Sequence, residues 1–488
     1  MKEWIKKEWL QYGLIILLSM GSYLVISLLG IGTDERLIKW GMTVLLLLIG
    51  GCQIIQWKKG KTDEEELCQA IILAGLVLRI GYMLYTGCEV RSHDLWEIDR
   101  NAYGHAAYLL TLMQERHLPT TNLVQLYQQP FFYMAGSVFS GIINGLLGNR
   151  EAYALVDATK TVSCAASGIS LVLAHQIFKE CGLSGKGKRL ALMITAFLPA
   201  YYLTGGRVNP DALATMFMLA AFLYTLRWMK KPDWKNTVIL ALIYGCGMMT
   251  KISVGVIALF TAALFLKKLF QERRKGKAGK LLLKYMVFGC ISLPLGLWFS
   301  IRNYILFGQP LNYVLPIGDE SILYRGNQSL FGRFLGIDAA SLLKTPYVNL
   351  TEDYNLPVYC LKSALFGEFT WKLPGWVPVS LLFFAFVISI CCCTALGWQI
   401  LRNRKDYGGN LAAGMSLLYY GSIMVFYRKY PFVCSMDFRY MIFISVPLGI
   451  LLGKYVNSHK RHNEWIAPCI YGFALFSCLM FAFPGFLF

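Results

Sequence analysis

Long apolar runs, separated by short polar segments, dominate the sequence. Most runs are about 17–25 residues long, the length that an α-helix needs to cross the hydrocarbon core of a bilayer. This pattern predicts an all-α polytopic membrane protein, because helices satisfy their own backbone hydrogen bonds in lipid. We expect about 13 transmembrane helices, near residues 11–29, 40–57, 68–87, 154–177, 190–205, 211–227, 237–249, 252–266, 285–301, 374–400, 410–427, 438–453 and 465–486.

The composition agrees with this pattern. Of the 488 residues, 56% are hydrophobic and only 15% are charged, which excludes a soluble enzyme, a disordered chain and a small disulfide-bonded scaffold. The net charge of +19 would also fit a nucleic-acid-binding protein. However, the surplus Lys and Arg residues lie in short loops between apolar runs, as the positive-inside rule predicts, so we expect no nucleic-acid partner.

The same rule predicts the topology. Three lysines precede the first apolar run, which indicates a cytoplasmic N-terminus and places residues 88–152 and 302–373 outside. Residues 130–148 are apolar and just long enough to cross, but we interpret them as a juxtamembrane or re-entrant helix. With that choice the predicted cytoplasmic loops hold about twice as many Lys and Arg residues as the outer segments. We therefore expect N-terminal spans (1–87), a first outer loop that carries catalysis (88–152), a central bundle (153–301), a second outer loop (302–373) and C-terminal spans (374–488).

The first outer loop opens with a dense group of charged residues. Seven charged or titratable residues lie between Glu89 and Arg100, directly after a predicted span. Apolar residues then recur at helical spacing from Ala106 to Met113, which predicts an amphipathic helix on the membrane surface, beginning near Asn101. A solvated connector is the alternative interpretation. If the helix forms, it would hold the acidic residues at the level of the lipid headgroups.

Several short motifs follow one another in a characteristic order. They are the acidic group with Gly104-His105-x-x-Tyr108, Leu118-Pro119, Tyr127-x-x-Pro130, Gly205-Gly206-Arg207-Val208-Asn209-Pro210-Asp211, Met249-Thr250-Lys251, Arg302-Asn303-Tyr304 with Gly308-x-Pro310, Leu365-Phe366-Gly367-Glu368-Phe369, and Asp437-Phe438-Arg439-Tyr440. Together they resemble the C-type (GT-C) glycosyltransferases, especially bacterial enzymes of the protein O-mannosyltransferase and aminoarabinose transferase group. The resemblance runs from about residue 85 to 455 and implies a GT-C-like helical bundle.

The resemblance implies transfer of a sugar from a polyprenyl phosphate to an acceptor hydroxyl outside the cytoplasm, with inversion at the anomeric carbon. Such a reaction needs a carboxylate base and a cation that stabilises the leaving phosphate. By resemblance the base is Asp94, in the first outer loop. Protein O-mannosyltransferases carry adjacent Asp and Glu residues there, whereas Leu95 follows Asp94 here, so Glu97 and Asp99 stay open as alternatives.

Lys251 and Arg302 are the candidates for the phosphate, because each lies at the predicted outer end of a span. Each could instead be an interfacial anchor. Asp437 and Arg439 would form an ion pair that orders the site or is purely structural, and His105 could be a satisfied interfacial histidine. The further substrate-binding candidates are His93, His105, Tyr127, Gln128, Arg207, Asp211, Glu368, Asp437 and Arg439. We expect no metal and no cofactor.

Two other functions fit an apolar chain of this kind. A lipid or small-molecule transporter would usually show repeated halves and ionisable residues in mid-membrane. Here the ionisable residues lie at the predicted outer ends of the spans, which favours surface chemistry. A non-catalytic assembly partner with the same fold is the third possibility. The sequence predicts a multi-pass membrane enzyme whose partners are the bilayer, a lipid-linked sugar, and a glycan, lipid or protein acceptor.

Overall fold

The computed structural model describes residues 2–60, 63–96, 98, 103–274, 276, 278–311 and 313–483 of the chain. These residues are overwhelmingly helical. Among them, extended segments pair only at a single antiparallel bridge between Tyr324 and Phe432. The predicted all-α class is confirmed.

The α-helices follow one another with short connections. In the first half of the chain they are α1 (Lys2–Leu28), α2 (Glu35–Lys58), α3 (Glu64–Tyr85), α4 (Gly104–Leu110), α5 (Phe131–Leu147), α6 (Ala152–Ala158), α7 (Lys160–Glu180), α8 (Gly185–Phe197), α9 (Pro199–Gly205), α10 (Asp211–Lys230) and α11 (Trp234–Thr250). The second half contains α12 (Val256–Arg273), α13 (Ala278–Phe307), α14 (Leu330–Phe334), α15 (Ala339–Lys344), α16 (Leu356–Phe366), α17 (Trp376–Leu401), α18 (Tyr407–Lys429), α19 (Ser445–Ser458) and α20 (Lys460–Phe481). A π-helical turn (Thr111–Glu115) and four short 3-10 turns (Ile252–Gly255, Val433–Met436, Phe438–Tyr440 and Ile442–Ile444) complete the described elements.

Many of these helices are long and apolar enough to cross a membrane. Within the described residues there are nine such candidates, namely Glu8–Leu28, Glu35–Lys58, Glu64–Tyr85, Ala152–Glu180, Asp211–Lys230, Ile252–Arg273, Ala278–Phe307, Trp376–Leu401 and Glu464–Phe481. Each coincides with a span predicted from the sequence. The chain is therefore a multi-pass membrane protein by the length and composition of its helices.

Four of the 13 predicted spans do not meet this standard. Residues 237–249 form a helix of 17 residues, Trp234–Thr250, and residues 410–427 lie in Tyr407–Lys429, which is not among the nine candidates. The other two differ in structure. Residues 190–205 were expected to be one span but form two helices, because Pro199 disfavours a helical Leu198, which is extended at ψ 116°. Residues 438–453 begin as 3-10 turns and become α-helical only at Ser445.

The apolar segment 130–148 forms α5, Phe131–Leu147, which ends at the left-handed Gly148. Its 17 residues are at the lower limit of the length that crosses a bilayer, so the re-entrant interpretation stays a prediction. The helix after the acidic loop differs from prediction. It begins at Gly104 and is packed into the protein, so that His105, considered above as an interfacial histidine, is fully buried.

The chain divides into two compact units. The first unit comprises Met1–Gly32, Thr86–Glu180 and Gly205–Leu315, and the second comprises Thr33–Tyr85, Cys181–Thr204 and Pro316–Phe488. In the first unit α10 packs against α7 and α11, and α11 packs against α13. In the second unit α8 packs against α3, α19 and α20.

Close packing in the second unit depends on small residues. A Cβ on Gly187 of α8 would lie 2.1 Å from the carbonyl oxygen of Gly453 in α19, so only glycine fits there. The buried Arg79 of α3 donates hydrogen bonds to the carbonyl oxygens of Thr195 (3.1 Å) and Ala196 (2.9 Å). These carbonyls close α8, and an arginine that satisfies them stabilises the helix end before Pro199.

Candidate functional site

The predicted first outer loop, residues 88–152, is fixed within the first unit by a buried ion pair. The Asp157 carboxylate lies 2.7 Å from the Lys160 ammonium, and both side chains are almost fully enclosed. Asp157 also accepts hydrogen bonds from the backbone N–H of Cys88 and the hydroxyl of Tyr23, each at 2.8 Å. This network fixes the start of the loop. The sequence offered one signal that we did not use, an Asp and a Lys three residues apart inside an apolar run.

Backbone strain is concentrated in this loop. Among the described residues other than glycine, those with positive φ are Arg91, Asp94, Trp96, Arg116 and Gln125, at φ values between 53° and 66°. Residues with a Cβ seldom adopt this conformation, and such residues cluster at functional sites when the surrounding structure enforces them. The loop that carries the predicted base is therefore held in one unusual conformation.

The backbone around Asp94 is held by the start of α4. The N–H groups of His105 and Ala106 donate to the carbonyl oxygens of Asp94 (2.9 Å) and Leu95 (3.3 Å). The first N–H groups of a helix have no partner within the helix, so these bonds satisfy both elements. The Asp94 side chain itself is exposed. The fold thus fixes the main chain of Asp94 and leaves its carboxylate accessible.

Gly104 permits this arrangement. Its φ is 94°, and a Cβ there would lie 2.6 Å from the carbonyl oxygen of Leu95 and 2.4 Å from the ring of Trp96. Its N–H donates to the carbonyl oxygen of Val124 at 2.8 Å, which links the acidic segment to the end of the loop. Glycine is required for both the conformation and the close approach.

Two stacked tyrosines lie beneath the loop. The rings of Tyr108 in α4 and Tyr133 in α5 are 3.8 Å apart and nearly parallel. The Tyr133 hydroxyl is 2.7 Å from Nδ1 of His105. Both tyrosines belong to a buried cluster that also contains Val208, Ala212 and Phe299. His105 is therefore part of the internal support of α4 and α5 and does not present its Nδ1 to a substrate.

Arg302, near the end of α13, contacts neutral groups alone within the described residues. Its guanidinium donates to the carbonyl oxygen of Pro119 (2.8 Å) and to the Asn303 amide oxygen (3.1 Å), and it lies over the ring of Phe299. The Asn303 amide in turn donates to the carbonyl oxygen of Tyr127 at 3.0 Å. No described carboxylate pairs with Arg302, and a guanidinium bonded only to neutral groups can bind an anionic ligand.

Tyr127 connects Arg302 with Asp94. Burial, and after it the negative charge of Asp94, raises the pKa of Tyr127 to about 12. Its hydroxyl therefore remains protonated near neutral pH. The neighbouring Gln128 donates to the side-chain oxygen of Gln125, which holds the turn in place. Tyr127 thus lies near the acidic residues of the loop, and the substrate-binding roles of Tyr127 and Gln128 stay predictions.

Lys251 has a different environment from Arg302. The helix α11 ends at Thr250, as predicted, and the Lys251 ammonium forms an ion pair with Asp211, which is 4% exposed. Asp211 begins α10, where the helix dipole favours a carboxylate. Arg207, also predicted, is buried in the preceding turn. Since a carboxylate already compensates Lys251, Arg302 is the better phosphate candidate of the two.

In the second unit, two predicted carboxylates, Glu368 and Asp437, lie beside Tyr359. The hydroxyl of Tyr359 donates to the Glu368 carboxylate, and carboxylate oxygens of Glu368 and Asp437 lie within 4.8 Å of each other. Burial, and then the charges of Glu368 and Asp437, raises the pKa of Tyr359. Arg439 forms the predicted ion pair with Asp437 at 3.3 Å and stacks on Tyr440. Two carboxylates alone supply only part of the oxygen shell that a hard divalent cation takes.

The remaining predicted residues can be located only in part. His93 is half-buried, one residue before Asp94. Glu97 and Asp99, the alternative bases, lie outside the described residues. The first unit therefore contains Asp94, His93, His105, Tyr127, Gln128, Arg207, Asp211, Lys251 and Arg302, and the second contains Glu368, Asp437 and Arg439.

The first unit thus combines an accessible carboxylate on a strained loop with a cation free of carboxylate partners among the described residues. Residues 146–298 match the family model described as dolichyl-phosphate-mannose-protein mannosyltransferase. This region therefore resembles a family of membrane glycosyltransferases, which confirms the resemblance seen in the sequence, although the match covers a minority of the chain.

Comparison with other proteins adds two findings. No curated protein matches the chain. The solved structures that are similar to it include the Archaeoglobus fulgidus oligosaccharyltransferase tethered through a disulfide bond to an acceptor peptide with the NVT sequon. That similarity has 11% sequence identity and a TM-score of 0.45, and it covers 86% of this chain and 55% of the other. The present chain thus aligns with about half the length of that structure.

Proposed function

We propose that the protein is an integral-membrane glycosyltransferase that transfers a sugar from a polyprenyl phosphate to an acceptor hydroxyl on the extracytoplasmic side. The observation that carries this proposal is the match of residues 146–298 to a mannosyltransferase family. The geometry of the first unit supports it, because that unit holds an accessible carboxylate and an arginine whose described partners are neutral.

In the proposed reaction Asp94 is the general base. Its carboxylate takes the proton of the acceptor hydroxyl, and the acceptor oxygen forms a bond to the anomeric carbon from the face opposite the phosphate. The bond between that carbon and the phosphate oxygen breaks, and its electron pair leaves with the polyprenyl phosphate. Because attack and departure occur on opposite faces, the anomeric configuration inverts. The fixed backbone of Asp94 supports this role, since a base must be positioned to be effective.

Arg302 would bind the leaving phosphate. Negative charge accumulates on the phosphate as the bond breaks, and a preorganised cation stabilises that charge most where water is excluded. A guanidinium can also bind two phosphate oxygens at once. Lys251 would serve as a second cation whose charge is shared with Asp211. Glu368, Asp437 and Arg439 of the second unit are proposed substrate-binding residues, without an assigned step.

The experiment that tests the function compares cells with and without the protein. Mass spectrometry of the cell-envelope glycans should show one sugar modification that disappears when the protein is absent and returns with the wild-type chain. A chain carrying Asp94→Asn should be present in the membrane but should not restore the modification. If the variant restores it fully, Asp94 is not the base. If Glu97→Gln and Asp99→Asn restore it fully as well, the protein acts as a transporter or an assembly partner, and the enzymatic proposal is wrong.

The side of the membrane needs its own test. We expect a cysteine introduced at Asn149 or at Gly336 to react with a membrane-impermeant thiol reagent added outside intact cells. A cysteine introduced at Lys405 should react only after the cells are opened. Reaction of the Asn149 variant only in opened cells would mean that α5 crosses the membrane and that the proposed sidedness is inverted downstream of it.

A further inference from the structure

The stacked tyrosines Tyr108 and Tyr133 differ in what their hydroxyl groups bind. The Tyr133 hydroxyl is bonded to His105 at 2.7 Å. The Tyr108 side chain is 0% exposed, and its hydroxyl has no hydrogen-bond partner within the described residues. The two rings are otherwise alike, since they share one stack and one buried cluster.

A buried hydroxyl without a partner is costly, because it gives up its bonds to water and receives nothing in return. Native proteins rarely leave such groups, and each one requires an explanation. Packing does not supply one here, because phenylalanine would fill the same stack without the cost. The hydroxyl of Tyr108 therefore indicates a ligand that approaches this position.

The surroundings indicate the charge of that ligand. Phe299 belongs to the same buried cluster as Tyr108, and the guanidinium of Arg302 lies 5.3 Å from the centre of the Phe299 ring. Burial raises the pKa of Tyr108, and the positive charge of Arg302 acts against this rise. The hydroxyl is therefore a neutral O–H donor within the field of a cation, which is an environment suited to an anion.

A second buried polar atom without a described partner lies near the same part of α13. The Gln129 amide nitrogen donates to the Ser300 hydroxyl at 2.7 Å, whereas its oxygen has no partner among the described residues. Ser300 and Arg302 are two residues apart on the helix. The Tyr108 hydroxyl could donate a hydrogen bond to a phosphate oxygen. The Gln129 side-chain oxygen could accept a hydrogen bond from a hydroxyl of the group attached to that phosphate.

We propose that Tyr108 binds the lipid-linked donor, with its hydroxyl donating a hydrogen bond to a phosphate oxygen that Arg302 also contacts. This inference rests on the proposed function, since it assigns a further residue to the same donor. Tyr108 would act in binding and would not transfer a proton. The Tyr108 hydroxyl would then lower the free energy of unfolding of the ligand-free protein and contribute only when the ligand is bound.

The test uses the purified full-length protein in detergent and a short-chain polyprenyl monophosphate as the probe. Tyr108→Phe should bind the probe about tenfold more weakly than wild type, as the loss of one hydrogen bond to a charged group predicts. Its melting temperature without the probe should equal or exceed that of wild type. The matched control is Tyr133→Phe, which should melt at a lower temperature because it loses the bond to His105.

A second pair of measurements separates this inference from the proposed function. The corresponding polyprenyl alcohol, which lacks the phosphate, should bind equally to wild type and Tyr108→Phe. If wild type and Arg302→Ala both fail to distinguish phosphate from alcohol, the proposed function is wrong. If Arg302→Ala weakens phosphate binding but Tyr108→Phe binds like wild type, the role of Tyr108 alone is wrong. A lower melting temperature for Tyr108→Phe would likewise overturn it, because the hydroxyl would then have a structural partner.

Discussion

The two ends of helix α10 in the first unit use charge in different ways. At its C-terminal end Arg227 donates to both oxygens of Glu8, at 2.7 and 3.1 Å, and contacts Glu180 at 3.4 Å. At its N-terminal end Asp211 pairs with Lys251, and the buried cluster there reaches Phe299, over which Arg302 lies. The arginine at the C-terminal end is bonded to carboxylates, whereas Arg302, near the other end, is bonded to neutral oxygens within the described residues.

The difference separates residues that stabilise the protein from residues available to a ligand. The half-buried Arg227 is already compensated by two carboxylates, and removing it leaves the buried Glu8 without a partner. An arginine bonded to neutral oxygens can exchange or add partners when an anion arrives. Burial and charge alone therefore do not identify a functional arginine. Whether its hydrogen-bond partners are carboxylates or neutral groups must also be known.

The largest effect should follow from changing Asp94, the predicted base. Asp94→Asn keeps the size of the side chain but cannot accept the proton of the acceptor. We expect the rate of sugar transfer to fall by about two orders of magnitude or more, the usual contribution of a positioned base. Donor binding and the melting temperature should change little, because the carboxylate is exposed. A transfer assay with purified protein and a lipid-linked sugar measures this.

Glu97→Gln and Asp99→Asn are the controls for this assignment and should have smaller effects. If one of them abolishes transfer while Asp94→Asn remains active, the base lies further along the loop. Full activity in all three variants would remove the main support for an enzyme.

The second effect should distinguish the two arginines directly. Arg227→Met leaves the buried Glu8 without its partner, and breaking a buried pair in this way costs about 3–5 kcal/mol. We expect a marked fall in melting temperature, with the activity of the folded fraction retained. Arg302→Met should show the reverse, with a small change in melting temperature and transfer at least about tenfold slower. Thermal unfolding in detergent and the transfer assay, made on both variants, measure the contrast.

Equal destabilisation of the two variants would contradict the comparison between the helix ends. It would mean that Arg302 is an anchor whose bonds to Pro119 and Asn303 support the fold. Arg227→Lys should have a melting temperature between those of wild type and Arg227→Met, because lysine keeps the charge but cannot bind both oxygens of Glu8 in the same way.

Much of the fold was predictable from the sequence because the membrane imposes a simple rule on helix length. The break in the helix at Leu198 was not predicted, because the surrounding run is continuously apolar. Pro199 was the signal for it, since a residue before proline disfavours the helical conformation. Within the candidate site, Asp94, Tyr127 and Arg302 were predicted from the order of motifs in the chain, and their roles stay predictions. The ion pair between Lys251 and Asp211 was not predicted, because the two residues are 40 positions apart and only the packing of the helices brings them together.

The stacked pair Tyr108 and Tyr133 and the ion pair Asp157–Lys160 were also missed. Aromatic residues are common in apolar sequences, and nothing in their spacing shows that one hydroxyl is bonded and the other is not. The tyrosine stack joins residues of two separate helices, which a pattern of polar and apolar positions does not reveal. Asp157 and Lys160, by contrast, are only three residues apart, and their spacing was a signal in the sequence.

The smallest effect should come from Gly104, which acts on the site only through the backbone. Gly104→Ala places a Cβ 2.6 Å from the carbonyl oxygen of Leu95 in a conformation, φ 94°, that alanine resists. Because Leu95 adjoins Asp94, the base should move by less than 1 Å, and transfer should slow by about tenfold, below the hundredfold loss that a full ångström can cause. Gly141→Ala in α5, where a Cβ would meet nothing within 4 Å, is the matched control and should keep wild-type activity. Comparable rates in the two variants would show that the loop adjusts freely, and the strained conformation around Asp94 would then have no part in catalysis.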